Sequence, residues 1–143
     1  MSTDKLRELL MKIRTATVEV LKIPVFGSYQ AAGRMIDANW HVLARVRTTD
    51  GVEGVGYIVQ PRGDLMKTIA SGAAELAEYL PGMDIREPEV IWYTLADRAA
   101  WVGPGGLLHW SLAPLDIAVW DALGKSLGQA LIRLLGGYRG EVP

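Results

Sequence analysis

The sequence of 143 residues contains no cysteine and only two histidines. Without cysteine the chain can form neither disulfide bonds nor thiolate metal sites, and it has no thiol nucleophile. Neither His41 nor His109 has a second ligand at the spacing of a zinc motif. We expect His41 to face solvent from a strand and His109 to lie in a loop or a helix cap. Zinc motifs built from cysteine and histidine are therefore excluded.

The sequence also lacks a large net charge and a long apolar run. Its 15 Lys and Arg residues and 16 Asp and Glu residues give a formal net charge of -1, which is not the basic signature of nucleic-acid or anionic-membrane binding. The apolar runs are far shorter than the roughly 20 residues that span a bilayer. Residues 1–10 are charged and amphipathic, unlike a signal peptide. We expect a soluble, cytoplasmic protein with no nucleic-acid or membrane partner.

Motifs for nucleotide binding and nucleophilic catalysis are missing as well. There is no Gly-x-Ser-x-Gly motif. The glycines between residues 51 and 56 lie within a predicted strand, and residues 103–106 lack the Lys-Ser/Thr ending of a P-loop. Asp116 and Asp121 would diverge by about 140° around a helix. The sequence therefore predicts no catalytic residue and no metal ligand in this chain.

Apolar residues are abundant enough for a buried core. Half of the sequence is hydrophobic, with five Trp and five Tyr, which excludes a disordered chain. Residues 12–22 alternate and are rich in β-branched side chains, so they predict a strand that ends at Pro24. Residues 24–37 are expected to form a loop, and a loop of this length in a small domain is usually functional or mobile.

Two more strands are predicted on either side of Asp50-Gly51. This dipeptide separates two alternating runs, residues 39–48 and 52–59, and is a strong hairpin signal. Gly54 and Gly56 within the return strand indicate a bulge or the close approach of another backbone. One face of the middle strand carries four apolar side chains, Trp40, Val42, Ala44 and Val46. The three strands together predict an antiparallel meander.

Helical periodicity begins after the third strand. The first helix is predicted with Asp64 as its N-cap and Pro81-Gly82 as its stop, and the second over residues 88–101. Each has an apolar stripe, made of Leu65, Ile69, Ala73, Leu76 and Leu80 in the first and of Val90, Ile91, Leu95 and Ala99 in the second.

A third helix ends at Gly128. We predict Ser111 as its N-cap, because Pro114 then falls in the first turn, where proline is tolerated. Asp121 and Lys125 add a weak ion pair along this helix, and residues 131–135 form a short fourth helix. The predicted fold class is α+β, with a three-stranded antiparallel meander followed by a bundle of three to four helices.

The segment around the third helix carries a family resemblance. It resembles the end of the N-terminal capping domain of the mandelate racemase and muconate lactonizing enzymes, in the enolase superfamily. Residues 11–13 and the Asp50-Gly51 hairpin are similar to earlier parts of that domain. The matching residues are Asp116, Ala118, Trp120, Asp121, Gly124, Lys125, Gln129, Leu131, Leu134, Leu135, Gly136 and Gly137.

This resemblance implies an isomerase or lyase that removes the proton α to a carboxylate with the help of Mg2+, as a racemase, dehydratase or cycloisomerase of hydroxy acids or sugar acids. The family's metal ligands and bases lie on a C-terminal barrel, outside this chain. The capping domain contributes two loops over the substrate. The resemblance implies Val25, Phe26 and Tyr29 in the first loop and Tyr57 in the second, where many relatives have an acidic residue; packing between loop and sheet is the alternative for all four.

The resemblance also implies a domain organisation and a set of partners. Residues 1–10 form an extension, residues 11–140 the capping domain, and residues 141–143 the start of a linker to a barrel. The partners are that barrel, a small carboxylate substrate and, as an open alternative, further copies of the chain. The chain alone is expected to be inactive. A stand-alone binding or assembly domain remains the second hypothesis, and a polar surface all round would favour it.

Overall fold

Three antiparallel strands and four α-helices follow one another in the computed structural model, which describes residues 11–138. The elements are β1 (Ile13–Ala31), β2 (Arg34–Thr48), β3 (Glu53–Gln60), α1 (Met66–Ala77), α2 (Pro88–Arg98), a 3-10 turn (Ala100–Val102), α3 (Gly106–Leu127) and α4 (Leu131–Leu134). The strands form one sheet in the order β1-β2-β3. The predicted α+β fold is confirmed, and the described residues include no barrel.

The first two strands are much longer than the sequence predicts. β1 continues through Pro24 to Ala31, so the predicted loop at residues 24–37 is wrong. The segment forms the end of a β-hairpin, and the pairing between β1 and β2 continues to Ala31 and Arg34. Proline is accepted here because β1 is an edge strand with an irregular register. We call residues 24–34 the arm.

The hairpin at Asp50-Gly51 is confirmed, because β2 ends and β3 begins on either side of it. Gly51 has a φ of 90°, which glycine adopts without strain. The backbone N–H of Gly51 donates to the Thr48 carbonyl over 3.1 Å. This turn fixes the register in which Val46 pairs with Gly54 and Ala44 with Gly56.

The sheet buries one face against α3. The inward side chains of β2, such as Val42 and Val46, are fully buried, and they meet the buried side of α3 and α1. The close approach predicted at Gly54 and Gly56 is confirmed. A Cβ at Gly54 would overlap the carbonyl oxygen of Ala118, and a Cβ at Gly56 that of Pro114.

Two helix starts differ from the predicted ones. The N-cap of α1 is Leu65, without a side-chain hydrogen bond, whereas Asp64 forms an ion pair with Arg62. α3 begins at Gly106, so Ser111 is not an N-cap and Pro114 lies inside the helix. Ser111 is buried and donates to the Ile69 carbonyl over 3.1 Å.

The other helix ends agree more closely with the sequence. α1 ends at Ala77, three residues before Leu80, and the predicted second helix ends at Arg98 instead of Trp101. His109 lies within α3 and not in a loop or cap.

None of the helices between residues 11 and 138 combines the length and apolar character needed to cross a bilayer. The predicted extension at residues 1–10 and linker at 141–143 lie outside the described residues.

Candidate functional site

A wide bulge in the arm presents the first group of predicted site residues. Pro24 pairs with Ala38 and Tyr29 with Ile36, so residues 25–28 of β1 stand opposite the single residue 37 of β2. Extra residues in one strand leave the ladder and bend it outward. Gly27, with a φ of 75°, allows the bend. The register irregularity therefore places Val25 and Phe26 outside the regular ladder.

The side chains of the arm differ in how they are held. Phe26 is fully exposed and Val25 is half-buried. The Tyr29 hydroxyl donates to Asn39 Oδ1 over 3.5 Å, which ties the arm back to β2. Phe26 is one of several exposed large apolar side chains on or next to the arm, together with Ile23, Tyr29 and Met35, and such a grouping marks an interaction surface. The arm thus has the character of a contact surface.

Tyr57 lies apart from the arm. It is 53% exposed, and its ring centroid is 5.6 Å from that of His41. Tyr57 pairs with Leu43 and Tyr29 with Ile36, so the two tyrosines are separated by a stretch of β2 on the order of 20 Å long. The four predicted site residues therefore do not form one cluster; they mark two patches.

Trp40 lies in the middle strand beneath the β3–α1 connection, and the sequence alone did not identify it as more than an inward strand residue. It pairs with Lys22 of β1 and with Gln60 of β3. The Lys22 ammonium lies 5.5 Å from the ring centroid. A Cβ at Gly63 would lie 2.7 Å from Trp40 Cε2, so the β3–α1 connection crosses directly over the ring.

Backbone strain occurs at the tip of the arm and in the β3–α1 connection. Among the described residues, only Ala32 and Leu65 combine a side chain with a positive φ, at 49° and 63°. Ala32 is at the tip of the arm and Leu65 ends the β3–α1 connection. Such outliers concentrate at ligand clamps and moving loops, so they support these segments as the functional part of the domain.

The titratable groups with shifted pKa values lie elsewhere. A hydrogen bond from Arg47 lowers the pKa of Glu53, and one from Arg86 lowers the pKa of Asp84. Burial raises the pKa of Asp116, which accepts no hydrogen bond from a described residue. Within residues 11–138 no three acidic or histidine side chains gather into a metal site. The arrangement suits contact and enclosure of a ligand more than acid–base chemistry.

Comparison with known families identifies a match over nearly all the described residues. Residues 12–136 match the family described as mandelate racemase / muconate lactonizing enzyme, N-terminal domain. The predicted resemblance is therefore confirmed by an independent comparison of the sequence.

Two curated relatives show what the sequence is similar to. An L-talarate/galactarate dehydratase from Salmonella typhimurium is 36% identical over 101 residues, which is 71% of this chain and 25% of that protein. A D-galactarolactone cycloisomerase from Agrobacterium fabrum is 31% identical over 127 residues, 89% of this chain and 32% of that protein. The chain thus spans only a quarter to a third of the length of these relatives.

Solved structures agree with the sequence comparison. The crystal structure of the Salmonella typhimurium dehydratase superimposes with a TM-score of 0.83 at 26% identity, covering 99% of this chain and 37% of that one. An L-talarate dehydratase from Polaromonas sp. JS666, complexed with Mg and L-glucarate, gives a TM-score of 0.81 at 25% identity, covering 92% of this chain and 36% of that one. These structures share the meander and the helices as one part of a larger enzyme.

Proposed function

Since the chain belongs to the N-terminal domain family of the mandelate racemase and muconate lactonizing enzymes, we propose that it caps the active site of such an enzyme. The substrate is a sugar acid, and the reaction begins with removal of the proton α to its carboxylate. The observation that carries this proposal is the arm, whose bulge holds a fully exposed Phe26 away from the domain.

The exposed apolar side chains support a capping role over a stand-alone one. Several lie on or next to the arm, on β3 and on α3, where a second domain would cover them. They include Phe26, Met35, Tyr57, Val59, Leu107, Trp110 and Ile117. A stand-alone binding or assembly domain with a polar surface is less consistent with this distribution.

The substrate class follows from the relatives. Those named above act on talarate, galactarate and galactarolactone, and others are D-galactonate dehydratases. A dehydratase or cycloisomerase of sugar acids is therefore favoured over a racemase of mandelate-like acids. Tyr57, where the family resemblance implies an acidic residue in many relatives, presents a hydroxyl and a ring.

The chemistry divides between two domains in this proposal. Related structures are complexed with magnesium, which in such enzymes stabilises the enediolate formed when the proton leaves. The described residues do not fit the metal, because they offer no cluster of acidic ligands. Their role is to enclose the substrate: Val25, Phe26 and Tyr29 contact it from the arm and exclude water, whereas Tyr57, on the order of 20 Å away along β2, acts from a separate patch at the edge of the enclosed site.

Further parts of the proposal concern context. The partners are a C-terminal barrel domain and the carboxylate substrate, the location is the cytoplasm, and exposed apolar side chains are compatible with a homo-oligomer. We also propose residues 11–140 as the capping domain, preceded by an extension and followed by a linker.

The test joins residues 1–143 to the barrel domain of the Salmonella typhimurium dehydratase and measures Mg2+-dependent dehydration of galactarate. We expect turnover well above that of the barrel alone, and a KM increase of about tenfold for Phe26→Ala. The 143-residue chain by itself should show no turnover and no exchange of the α proton.

The controls are the barrel with its own N-terminal domain and the variant Tyr93→Ala, which changes an exposed ring on α2 outside both patches. A folded chimera no more active than the barrel alone would contradict the capping role. Turnover by the isolated 143-residue chain would contradict the division of labour.

A further inference from the structure

We propose that a groove between α2 and α3 binds the guanidinium group of an arginine side chain. The lining of this groove includes one carboxylate and one indole from each helix: Glu89 and Trp92 from α2, and Asp116 and Trp120 from α3. Its volume is about 440 Å³, which is far more than a single water molecule needs. The inference does not depend on the proposed capping role.

The spacing of these residues along each helix brings their side chains together. Glu89 and Trp92 are three residues apart and Asp116 and Trp120 are four apart, so each pair shares one side of its helix. Both indoles are partly buried. Trp92 packs against the core, and its ring centroid lies 5.8 Å from that of His109. The aromatic walls of the groove are therefore held by packing before any ligand arrives.

The side chain that points to a cationic ligand is Asp116. Its carboxylate is partly buried near the middle of α3, yet no described residue gives it a hydrogen bond or an ion pair. Burial raises the pKa of this carboxyl group, because its charged form loses hydration without gaining a partner. A bound cation would supply the missing partner.

Glu89 needs no such explanation. It lies in the first turn of α2, where an acidic side chain is stabilised by the positive end of the helix dipole. It is also exposed, so water solvates its charge. Glu89 therefore contributes negative potential at the rim of the groove, whereas the charge of Asp116 is the one that the fold leaves uncompensated.

The combination of carboxylates and indoles distinguishes between cations. A divalent metal ion requires several oxygen ligands, and within residues 11–138 no three acidic or histidine side chains converge. A guanidinium group is planar and weakly hydrated, so it stacks on an indole face and donates two parallel hydrogen bonds to a carboxylate. An ammonium group is more strongly hydrated and lacks this fork. The groove thus favours arginine over lysine.

A neighbouring groove on α2 provides an internal comparison. Its lining includes Asp97, Arg98 and Trp101, so it also offers a carboxylate beside an exposed ring. Here the chain brings its own cation, because the guanidinium of Arg98 lies 4.7 Å from the ring centroid of Tyr79. Asp97 is exposed, and water solvates its charge. We therefore expect no guanidinium binding at this second groove.

Titration of the 143-residue chain with N-acetyl-L-arginine amide, followed by two-dimensional NMR of its N–H groups, tests the proposal. We expect saturable shifts at the indole N–H groups of Trp92 and Trp120, with a Kd on the order of 1 mM. N-acetyl-L-citrulline amide, which has nearly the same shape without the charge, should bind about tenfold more weakly. The lysine compound should fall between the two. Absence of shifts at both indoles, or equal affinity for the citrulline or lysine compound, would overturn the proposal.

Two matched variants assign the binding to Asp116. Asp116→Asn keeps the shape of the side chain, removes its charge and should raise the Kd for the arginine compound about tenfold. The variant should remain folded, because the lost carboxylate has no partner to leave unpaired. Asp97→Asn is the control and should change the Kd by less than about twofold. An unchanged Kd for folded Asp116→Asn, or an equal loss with Asp97→Asn, would refute the site.

Discussion

Asp121 Oδ2 accepts a hydrogen bond of 2.8 Å from the backbone N–H of Val55, which lies 66 residues earlier in the chain. Lys125 donates to the same carboxylate over 2.6 Å and to the Glu53 carbonyl over 2.9 Å. β3 is an edge strand, and its outward backbone groups would otherwise remain open to other chains. The Asp121–Lys125 ion pair on α3 therefore also satisfies the backbone groups of Val55 and Glu53 at this edge of the sheet.

The first prediction concerns this edge contact. Asp121→Ala removes a charge-assisted acceptor from the Val55 N–H, and we expect the free energy of unfolding to fall by about 1.5–2 kcal/mol. Urea denaturation monitored by circular dichroism measures the change. Asp97→Ala is the control, because Asp97 is exposed on α2, and its effect should stay within about 0.5 kcal/mol. Equal effects would show that the edge contact contributes nothing.

The second prediction concerns the contact of β3 with α3. Gly56→Ala places a Cβ on the Pro114 carbonyl oxygen and close to the Ala118 nitrogen. Because neither backbone can move without separating helix from sheet, we expect a loss of about 3 kcal/mol or more. Gly72→Ala meets only the side chain of Ser111, whose displacement weakens one hydrogen bond to the Ile69 carbonyl, and this loss is offset by a gain in helix propensity of roughly 1 kcal/mol. Thermal melts should rank the variants in that order; a mild effect at Gly56 would contradict the close approach.

The third prediction concerns the tip of the arm. Ala32 and Gly33 both have positive φ, at 49° and 72°, as in a type I′ turn, which favours Asn-Gly. Ala32→Asn should raise the free energy of unfolding by up to about 1 kcal/mol, since a left-handed backbone costs alanine about 1–2 kcal/mol. Ala32→Val should have the opposite sign. Both are measured by urea denaturation, and a gain from valine would refute the turn geometry.

The fourth prediction concerns Asp116, whose pKa is raised by burial above its usual value of 3.8. The folded chain then binds the proton more tightly than the unfolded chain, so stability falls as the pH rises from 3.8 through the raised pKa. Asp116→Asn removes this cost. The variant should be more stable than the parent at pH 7, and the difference should vanish near pH 3.

The matched comparison for that experiment is Asp84→Asn. The Arg86 hydrogen bond lowers the pKa of Asp84 below 3.8, so its carboxylate stabilises the fold above that pH and the contribution is lost as the pH falls through the lowered pKa. Asp84→Asn should therefore be less stable than the parent at pH 7. Urea denaturation at pH 3, 5 and 7 measures both, and a gain from Asp84→Asn would contradict the assignment.

Local patterns account for the elements that the sequence predicted well. The alternation of residues 39–48 follows from one buried sheet face, and Asp50-Gly51 provides the positive φ of a tight turn. The interior glycines of β3 indicated that another backbone packs against this strand, and the structure leaves no room for a side chain at these positions. The residues of the family signature near α3 were equally visible in the sequence.

The arm and the start of α3 could not be predicted in this way. Residues 24–34 have little β propensity, and pairing with β2 around a bulge decides their conformation. Proline is normally confined to the first turn of a helix, and Pro114 therefore predicts a later helix start. α3 nevertheless extends back to Gly106, because Leu108 and Leu112 gain burial against the core. Long-range packing outweighed a local preference in both cases.

The sequence by itself determined the α+β class, the meander, the family and the residue types that face the core, since these depend on short-range periodicity and chain-local turns. Only the tertiary structure decided that Asp121 binds the edge of β3, that Phe26 is held out on a bulge, and that the β3–α1 connection crosses the ring of Trp40. These relationships join residues distant in sequence, and their energies depend on register and packing, which no local pattern encodes.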